Sequence, residues 1–407
     1  MKARSLKIAM PTPAFLPNMG GMEVGLHNIA CRLADRGHEP CVIMPATQYR
    51  ALKRSDCEFN YDIAPFWPKT SAITEHWPNI GLRFHGMFFR YYQHRYKPDV
   101  WHSTMIYPTG TGLFYGLGTA VPSLARAAGN DIQISHDADY GIRRDPRADH
   151  IIRTWGCGLS AYVAITETVR QEYLALGIPD EKIFFIPNGV DLQRFNRPRN
   201  RKILHDRHGI AEDSFLFLSV GRNHPKKNYK TLIEAFGILC RRNPEAQVQL
   251  AIAGDKVSEL SPLAARERLT AQIHLIERIG IDAGDLQNIE LPADPLIDLY
   301  KGADVFVFPS LIETFGIAIV EAMAAGLPCI ISDAPGCRDI TAQGVHALDF
   351  PPLNKEALAE KMEEFLHHRD LRIKWQDKSK ARAAAYDWDH IVTQYENLYL
   401  KLTGVGA

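Results

Sequence analysis

The sequence predicts an α/β protein with two parallel-sheet domains that face each other across a cleft. Short β-rich runs alternate with helical patterns along the chain, which is typical of parallel strands joined by crossover helices. The 407 residues are enough for two domains. A polar, basic stretch at 192–209 divides the alternation into two series, as expected for a linker followed by a short helix. In open sheets of this class, ligands bind at the carboxyl ends of the strands.

Two series of strands follow from short apolar runs bounded by turn residues. In the first half, an amphipathic helix is predicted over 23–37, and it ends at a glycine, a usual C-terminal stop. The chain closes with a second amphipathic helix over 388–402. The strands of the first series are predicted at 6–11, 39–45, 98–104, 121–127 and 161–166, and those of the second at 214–221, 248–254, 288–293, 304–310 and 327–333.

Composition and charge exclude several classes of protein. Hydrophobic residues make up 46% and charged residues 23%, as in ordinary globular proteins. Lys plus Arg and Asp plus Glu both number 47, and a formal net charge of zero gives no sign of nucleic-acid binding. No apolar run is long enough to span a bilayer, and prolines break the first one, so we expect a strand there and not a signal peptide. The seven cysteines lack C-x-x-C spacing, which indicates reduced thiols in a cytoplasmic protein.

Two glutamates separated by seven residues stand in the almost entirely apolar stretch 313–333. Gly326 ends a helix that is predicted to begin near Gly316. Glu313 then lies in the preceding loop, at the carboxyl end of a strand, and Glu321 lies inside the helix. A helix N-terminus at this corner offers free N–H groups to a phosphate. The simpler alternatives are a carboxylate favourably placed at a helix N-terminus for Glu313 and a partly exposed helix residue for Glu321.

A second strand-to-helix corner, at 219–239, is rich in cations. Arg222, Lys226 and Lys227 crowd the start of a helix that is predicted to be capped by Asn228. The helix dipole disfavours cations at this end, and an anion bound there would offset that cost. A solvated basic turn is the alternative. Together with the glutamates, this corner suggests a diphosphate joined to hydroxyl-bearing groups, because carboxylates accept hydrogen bonds from sugar hydroxyls.

These residues resemble glycosyltransferase family 4, the retaining nucleotide-sugar transferases with the GT-B fold. Five segments are similar to family motifs and occur in the family's order over most of the chain. They are a glycine loop, a D-v-x-H segment, a segment that ends in N-G-V-D and Phe, an Arg–Lys phosphate motif and an E-x7-E signature. These segments are 17–23, 98–110, 162–195, 220–228 and 309–330.

The resemblance implies two Rossmann-like domains. An acceptor-side domain would span 1–191 and a nucleotide-sugar-binding domain would span 192–387. A final helix at 388–407 would cross back and pack on the first domain. No metal or other cofactor is expected from the family, and ligand clusters with metal-binding spacing are not visible in the sequence.

The resemblance also implies a role for each donor-site residue. Arg222 and Lys227 would neutralise the donor diphosphate and the charge that grows as it leaves. Glu321 would accept hydrogen bonds from the ribose, and Glu313 would hold hydroxyls of the transferred sugar. Retention without a well-placed nucleophile would mean attack from the front face of the sugar. Backbone N–H groups of Phe315, Gly316 and Ile317 would line the sugar and phosphate site, and Gly20 and Gly21 would bring backbone close to the diphosphate.

One position departs from the family pattern. Many members carry His-Gly-x-Asp after the strand that corresponds to 121–127, whereas this chain has Ala at position 128, where that His would be. No catalytic histidine is assigned, and Arg126 or Asp131 is a candidate to line the site instead. The acceptor and sugar side is assigned to His102, Asn130 and Asp131, with a structural role as the alternative for His102.

The acceptor is expected in the first half, where the segment 82–99 mixes aromatic residues with Arg, His and Lys. One interpretation is a surface that meets anionic lipid, which implies a peripheral membrane contact and a lipid-linked acceptor. The preferred interpretation is a crossover helix that packs Phe84, Phe88, Tyr91 and Tyr92 on the sheet and leaves its basic residues in solvent.

The leading hypothesis is a retaining, metal-independent glycosyltransferase of glycan or polysaccharide biosynthesis. It would move a sugar from a UDP- or GDP-linked donor to a glycan, a lipid-linked glycan or another hydroxyl acceptor. A non-hydrolysing sugar-nucleotide epimerase is one alternative, and conversion of one nucleotide sugar to another without an acceptor would support it. A nucleotide-sugar-binding protein without turnover is the other. The sequence leaves the donor sugar, the linkage and the oligomeric state open.

Overall fold

The computed structural model describes residues 4–404 except 19, 56, 67–72, 75, 137, 278 and 280–289. The described residues form two compact units, and the chain passes between them more than once. The first unit comprises 1–188, 282–291 and 388–407, and the second comprises 189–281 and 292–387.

A parallel sheet forms the centre of the first unit. Its strands are β1 (Lys7–Pro11), β2 (Glu39–Pro45), β3 (Asp62–Phe66), β4 (Val100–Ser103), β5 (Ser123–Arg126), β6 (Ala161–Ala164) and β7 (Ile183–Phe185). Their order in the sheet is β3-β2-β1-β4-β5-β6-β7. Strands β4 to β6 are buried along their whole length, as expected for parallel strands covered on both faces. The covering helices are α1 (Gly21–Asp35), α2 (Ala46–Arg54), α3 (Pro78–Tyr96), α4 (Thr111–Leu117), α5 (Pro146–Ile151) and α6 (Glu167–Ala175).

The second unit repeats this architecture. Its strands are β8 (Phe215–Val220), β9 (Val248–Ala253), β10 (Ile273–Ile276), β11 (Val305–Phe308), β12 (Cys329–Ser332) and β13 (Leu348–Phe350). Their order is β10-β9-β8-β11-β12-β13, and neighbouring strands are parallel. Its helices are α7 (Arg201–His208), α8 (Tyr229–Arg242), α9 (Ser261–Arg266), α10 (Asp294–Gly302), α11 (Ile317–Ala324), α12 (Cys337–Thr341), α13 (Lys355–His367) and α14 (Arg369–Ala383). The predicted α/β class with two parallel sheets is confirmed.

One predicted strand does not form. Residues 288 and 289 lie outside the described part of the chain, and 290–293 have no strand conformation, so the prediction at 288–293 is wrong for its described residues. The strand that pairs with β9 is β10, for which no strand was predicted. Only the two end residues of β10 are buried. A short, half-buried edge strand has a weak hydrophobic signal, which explains why it was overlooked.

The last helix, α15 (Trp388–Thr403), belongs to the first unit and packs against α1 and β4. Its Tyr395 and Tyr399 side chains are completely buried. Glu396 on the same helix accepts a hydrogen bond of 3.0 Å from Arg36 and lies 3.1 Å from Nε2 of His38. Apolar burial and an ion pair therefore join the C-terminal helix to the first sheet.

Helix α3 presents two faces. The residues that face the unit include Leu82, Phe89 and Tyr92, all of which are buried. Phe84 and Tyr91 are 37% and 60% exposed, so the prediction that these two rings pack on the sheet is wrong. A helix turns by roughly 100° per residue, and positions 84 and 91 share a face that points away from the buried one. Among the described helices, none has the length and apolar composition needed to cross a membrane.

The strand order of each sheet indicates the edge at which a ligand would bind. In the second unit, the chain moves outward from β8 to β9 and β10 and then returns to the other side of β8 with β11. In the first unit, the same reversal falls between β1 and β4. Ligands of open α/β sheets bind at the carboxyl ends of the two strands that flank such a reversal. In the second unit, the strands at this point end beside the cationic corner and the loop of Glu313.

Candidate functional site

Two loops meet at the carboxyl ends of β8 and β11. The first loop contains a short 3₁₀ turn, Pro225–Lys227, and leads into α8. The second loop follows β11 and leads into α11. The backbone N–H of Leu311 donates to the carbonyl of Lys226 at 2.7 Å, and the Asn228 amide donates to the carbonyl of Pro309 at 3.3 Å. These bonds bring together two segments that are distant in sequence.

Glu313 is the centre of a buried ion cluster. Its Oε1 atom lies 2.5 Å from Nζ of Lys227, and its Oε2 atom lies 3.3 Å from Nζ of Lys226. The hydroxyl of Ser310 donates to Oε1 at 3.2 Å. Burial favours the neutral acid, but the two ammonium groups outweigh it and hold the pKa of Glu313 well below its ordinary value. The carboxylate is therefore charged at neutral pH.

The two lysines are nearly buried with Glu313. Both side chains are 14% exposed, and Nζ of Lys227 also lies 4.4 Å from the centre of the Phe308 ring. Burial lowers the pKa of Lys227 against the opposing attraction of Glu313. A buried cation is costly unless it is paired. Both ammonium groups contact the same carboxylate, so this corner holds two cations close together, an arrangement that suits an external anion.

The N-terminus of α11 adjoins this cluster. The helix begins at Ile317, one residue after the predicted position, with Gly316 as its N-cap at φ 80° and without a side-chain cap. Only glycine adopts this left-handed conformation without strain. Phe315 is buried against Tyr386, with ring centres 5.6 Å apart. The first backbone N–H groups of the helix thus have no capping side chain, and they form a favourable seat for an anion.

Glu321 lies inside α11 and is only 5% exposed, so the alternative of a partly exposed residue is wrong. The hydroxyl of Tyr300 donates to its Oε2 atom at 2.8 Å. Burial raises the pKa of Glu321 to about 7, and the hydrogen bond from Tyr300 opposes that rise only in part. A buried carboxylate of this kind has acceptor capacity for further hydroxyl donors.

Arg222 differs from the two lysines in its exposure. Its side chain is exposed and forms no ion pair with any carboxylate in the described part of the chain. The structure therefore brings Lys227 and Glu313 together and leaves Arg222 in solvent. Sequence reasoning placed Lys226 at the cationic corner but did not predict its pairing with Glu313, and it missed Ser310 and Tyr300. Sequence spacing contains no signal for Ser310 or Tyr300.

Gly336 is a further residue of this site that sequence reasoning missed. It has a φ of 77°, and a Cβ atom built on it would lie 1.9 Å from the backbone carbonyl oxygen of Glu313. The adjacent Pro335 accepts a hydrogen bond of 3.0 Å from the N–H of Glu313. The loop before α12 thus buttresses the backbone of the catalytic candidate Glu313.

We expect Gly336→Ala to destabilise the protein and to disturb Glu313. The positive φ alone costs roughly 1–3 kcal/mol, and the contact with the carbonyl of Glu313 adds to that cost. Gly209→Ala is the matched control, because Gly209 has a φ of 68° and an added Cβ would meet nothing within 4 Å. Thermal unfolding of both variants measures the difference, and equal losses of stability would contradict the proposed buttress.

In the first unit, the corner after β1 carries the predicted glycine pair. Gly20 is the N-cap of α1, has an extended backbone with φ −158°, and accepts a hydrogen bond of 3.0 Å from the N–H of Val24. Gly21 is the first residue of the helix, and both glycines are partly exposed. This helix also lacks a side-chain cap at its N-terminus. The corner lies at the reversal of strand order in its own sheet.

The residues assigned to the acceptor side differ in exposure. His102 is completely buried, with Nδ1 2.7 Å from the hydroxyl of Tyr399, and burial lowers its pKa to about 3. Asp131 is also buried and accepts bonds from the N–H groups of Ile106 at 2.6 Å and Gly129 at 3.0 Å. Asn130 is exposed. Through these contacts His102 and Asp131 stabilise the structure of the first unit. A role for either residue in acceptor binding stays a prediction.

Asp131 and Arg126 are the two residues that the sequence analysis named as candidates to line the site in place of the missing histidine. Burial raises the pKa of Asp131 to about 6, although backbone N–H groups oppose the rise. Arg126 is buried and donates to Oδ1 of Asn188.

Within the described ranges, no group of three or more His, Cys, Asp or Glu side chains is arranged to hold a metal ion.

Two protein-family models match the chain. The model described as Glycosyl transferases group 1 matches residues 200–382, and the model described as Glycosyltransferase Family 4 matches residues 19–194. The two matches together extend over most of both units.

Curated relatives match part of the chain. Mannosylfructose-phosphate synthase from Agrobacterium fabrum is 31% identical over 225 residues, which cover 54% of this chain and 47% of that protein. D-inositol 3-phosphate glycosyltransferase from Nocardia farcinica is 28% identical over 224 residues, which cover 55% of this chain and 48% of that protein. The chain thus spans about half the length of the curated relatives it matches.

Solved structures match over nearly the whole chain. A glycosyltransferase from Rickettsia africae has a TM-score of 0.76 at 17% identity and covers 97% of this chain and 98% of its own. HepE from Anabaena, solved in complex with UDP and glucose, has a TM-score of 0.74 at 20% identity and covers 97% of this chain and 99% of its own. This likeness shows the GT-B fold and confirms the predicted fold class. None of the proteins named here is called an epimerase, so the epimerase alternative has no support.

Proposed function

Since this chain belongs to glycosyltransferase family 4, we propose that it transfers a hexose from a UDP- or GDP-sugar to a hydroxyl acceptor. The observation that carries the proposal is the cluster of Lys226, Lys227 and Glu313 beside the uncapped N-terminus of α11. Two neighbouring ammonium groups and N–H groups without a capping side chain suit a diphosphate. The buried Glu321 suits ribose hydroxyls. HepE, which was solved with UDP and glucose, supports a donor of this chemical class.

The reaction that we propose retains the configuration of the sugar. The acceptor oxygen forms a bond to the anomeric carbon while the bond from that carbon to the phosphate oxygen breaks. The departing phosphate accepts the acceptor's proton on the same face of the sugar. Lys227, Arg222 and the N–H groups of α11 stabilise the negative charge that grows on the diphosphate, because preorganised donors act strongly in a dry site. These cations are the reason for proposing a reaction that does not depend on a metal ion.

For the acceptor and the cellular location, the proposal names broad classes and no single compound. We propose a glycan, a lipid-linked glycan or another hydroxyl compound as acceptor, in glycan or polysaccharide biosynthesis. Two relatives are named for products or substrates that are phosphorylated small molecules, so such acceptors belong in the first screen. The seven cysteines are all free, which supports a reducing compartment such as the cytoplasm.

A nucleotide panel tests this function. Thermal unfolding is measured with UDP-, GDP- and ADP-sugars, and a bound donor raises the melting temperature by mass action. We expect one nucleotide class to stabilise the protein and Lys227→Ala to weaken its binding by roughly tenfold to a hundredfold, because a charge-assisted hydrogen bond is lost.

Lys230→Ala is the matched control, because Lys230 is an exposed residue of α8. Sugar transfer with the stabilising donor is then measured with and without a chelator. Failure of every nucleotide to stabilise the protein, or equal binding by Lys227→Ala and wild type, would refute the site. Donor binding without turnover on any acceptor would favour a nucleotide-sugar-binding protein, and loss of turnover with chelator would refute metal independence.

A further inference from the structure

Helix α3 carries an exposed row of large apolar side chains. Ile80, Phe84, Met87 and Tyr91 are 46%, 37%, 63% and 60% exposed. Their spacing of four, three and four residues places them on one face of the helix. Trp77, just before the helix, is 61% exposed and extends the row by about one turn. We call the four helix residues the apolar stripe.

The stripe is not needed to hold α3 in place. The opposite face is already buried, and Phe89 packs edge-on against Trp101 with ring centres 5.3 Å apart. Gly86 lets α3 approach α4 so closely that an added Cβ would lie 2.6 Å from the ring of Tyr115. One apolar face of the helix thus packs inside the protein, and a second apolar face is exposed at the surface. Contiguous exposed apolar surface of this kind marks an interaction site.

The charge beside the stripe has a single sign. Helix α3 contains three arginines and two histidines and has no acidic residue. Arg83 and Arg90, seven residues apart, are exposed along one side of the stripe, and Lys97, the exposed C-cap residue, follows the last turn; we call these three the basic row. None of the three forms an ion pair with a carboxylate in the described part of the chain, and Arg90 donates a hydrogen bond of 2.8 Å to the carbonyl of Gly116. The whole chain has zero formal charge, so this basic row is a local excess.

We propose that the apolar stripe and the basic row form a docking surface for an anionic lipid bilayer. The helix lies in the plane of the interface, its apolar side chains enter the boundary between headgroups and acyl chains, and its cations meet anionic headgroups. Trp77 and Tyr91 suit that depth, because their rings have an apolar body and a polar edge.

The continuous pattern of charge favours a bilayer over a protein partner. Arg83 and Arg90 lie beside the stripe and Lys97 follows at the helix end, so a protein partner would need acidic groups at the same spacing beside an apolar groove. A bilayer of anionic lipid supplies negative charge and apolar depth in every direction. The inference does not depend on the proposed function, because it rests on α3 alone.

Co-sedimentation of the full chain with vesicles tests the inference. One set of vesicles is phosphatidylcholine alone, and the other contains phosphatidylglycerol as well. We expect binding to the anionic vesicles, much weaker binding to the neutral ones, and a loss of binding as salt rises towards about 1 M, where the screening length falls to about 3 Å.

Paired variants separate the two components. Met87→Ser with Tyr91→Ser is expected to lower the partition coefficient by about tenfold or more, because two exposed apolar groups are lost. Arg83→Gln with Lys97→Gln is expected to lower it by about twenty-five-fold, from about fivefold for each of the two cations near the surface. Ile373→Ser with Lys374→Gln is the control, because it removes an exposed apolar residue and an exposed lysine from α14 and leaves α3 unchanged.

Several results would overturn the inference. One is the absence of vesicle binding, another is equal binding to both lipid compositions, and a third is equal binding by wild type and both α3 variants. A change in sedimentation coefficient of the Met87→Ser, Tyr91→Ser variant without vesicles would assign the stripe to a protein interface instead. Donor binding in the nucleotide panel should be unchanged in all these variants, so a failure here is distinguishable from a failure of the proposed function.

Discussion

Glu313→Gln is expected to destabilise the protein and, at the same time, to strengthen its binding of a nucleoside diphosphate. The amide cannot neutralise Lys226 and Lys227, which lie 3.3 Å and 2.5 Å from the carboxylate in the native protein. Breaking a buried pair in this way costs roughly 3–5 kcal/mol. Since a domain of this size loses roughly 2–4 °C per kcal/mol, the melting temperature should fall by roughly 10 °C.

The expected gain in diphosphate affinity has the same origin. In the native protein, the carboxylate and an incoming anion compete for the same two ammonium groups. In Glu313→Gln this competition is gone, so UDP or GDP should restore more stability to the variant than to the wild type. Sugar transfer should nevertheless fall, because the proposed contact with the hydroxyls of the transferred sugar is lost. Calorimetric titration with the nucleotide and a transfer assay measure the two effects separately.

The pH dependence gives an independent check. The pKa of Glu313 lies below its unfolded value, so its contribution to stability is fully present above the unfolded pKa of about 4.3. It is lost as the pH falls through the lower pKa of the folded protein. The stability difference between wild type and Glu313→Gln should therefore be large at pH 7 and shrink in acid. Glu245→Gln, at an exposed position of the same unit, is the control. A variant that binds the diphosphate more weakly than wild type would contradict the competition.

Glu321→Gln is expected to have the opposite effect on stability and to weaken donor binding. Burial raises the pKa of Glu321 to about 7, so the folded protein holds a proton that the unfolded chain releases at a lower pH. Stability from this group is therefore full below about pH 4.3 and is lost as the pH rises to about 7. At pH 8 the charged, buried carboxylate costs roughly 3 kcal/mol, which the neutral amide avoids.

Unfolding at two pH values measures this effect. Glu321→Gln should melt roughly 5–10 °C above wild type at pH 8 and close to it at pH 4. Tyr300→Phe should lower the stability at pH 8, because it removes the hydroxyl that donates to Oε2 of Glu321 at 2.8 Å. Donor affinity of Glu321→Gln should fall, since an amide is a poorer acceptor for ribose hydroxyls than a carboxylate. Unchanged stability at pH 8 combined with unchanged donor affinity would remove Glu321 from the site.

The local elements of this protein were predictable, because their signals lie within a few residues. The apolar run before Gly326 and the glycine itself define α11 to within one residue of its start. The same kind of signal failed for β10, because an edge strand of four residues with two buried positions carries little periodicity. It also failed for Phe84 and Tyr91, because an apolar helix residue is equally compatible with a core and with an exposed stripe.

The sequence by itself determined the two parallel sheets, the two strand-to-helix corners and the kinds of side chain that stand there. Only the tertiary structure decided that Lys226 and Lys227 share one carboxylate with Glu313, from positions 87 and 86 residues away. The reason is the order of the sheet: β8 and β11 are neighbours although β9 and β10 lie between them in the chain. Burial, which raises the pKa of Glu321, is likewise a property of the tertiary structure. The same is true of α3, where one face packs inside the protein and the other is left exposed. Sequence spacing predicts which residues share a face of one helix or one strand. Burial and charge pairing depend on which distant segments pack together.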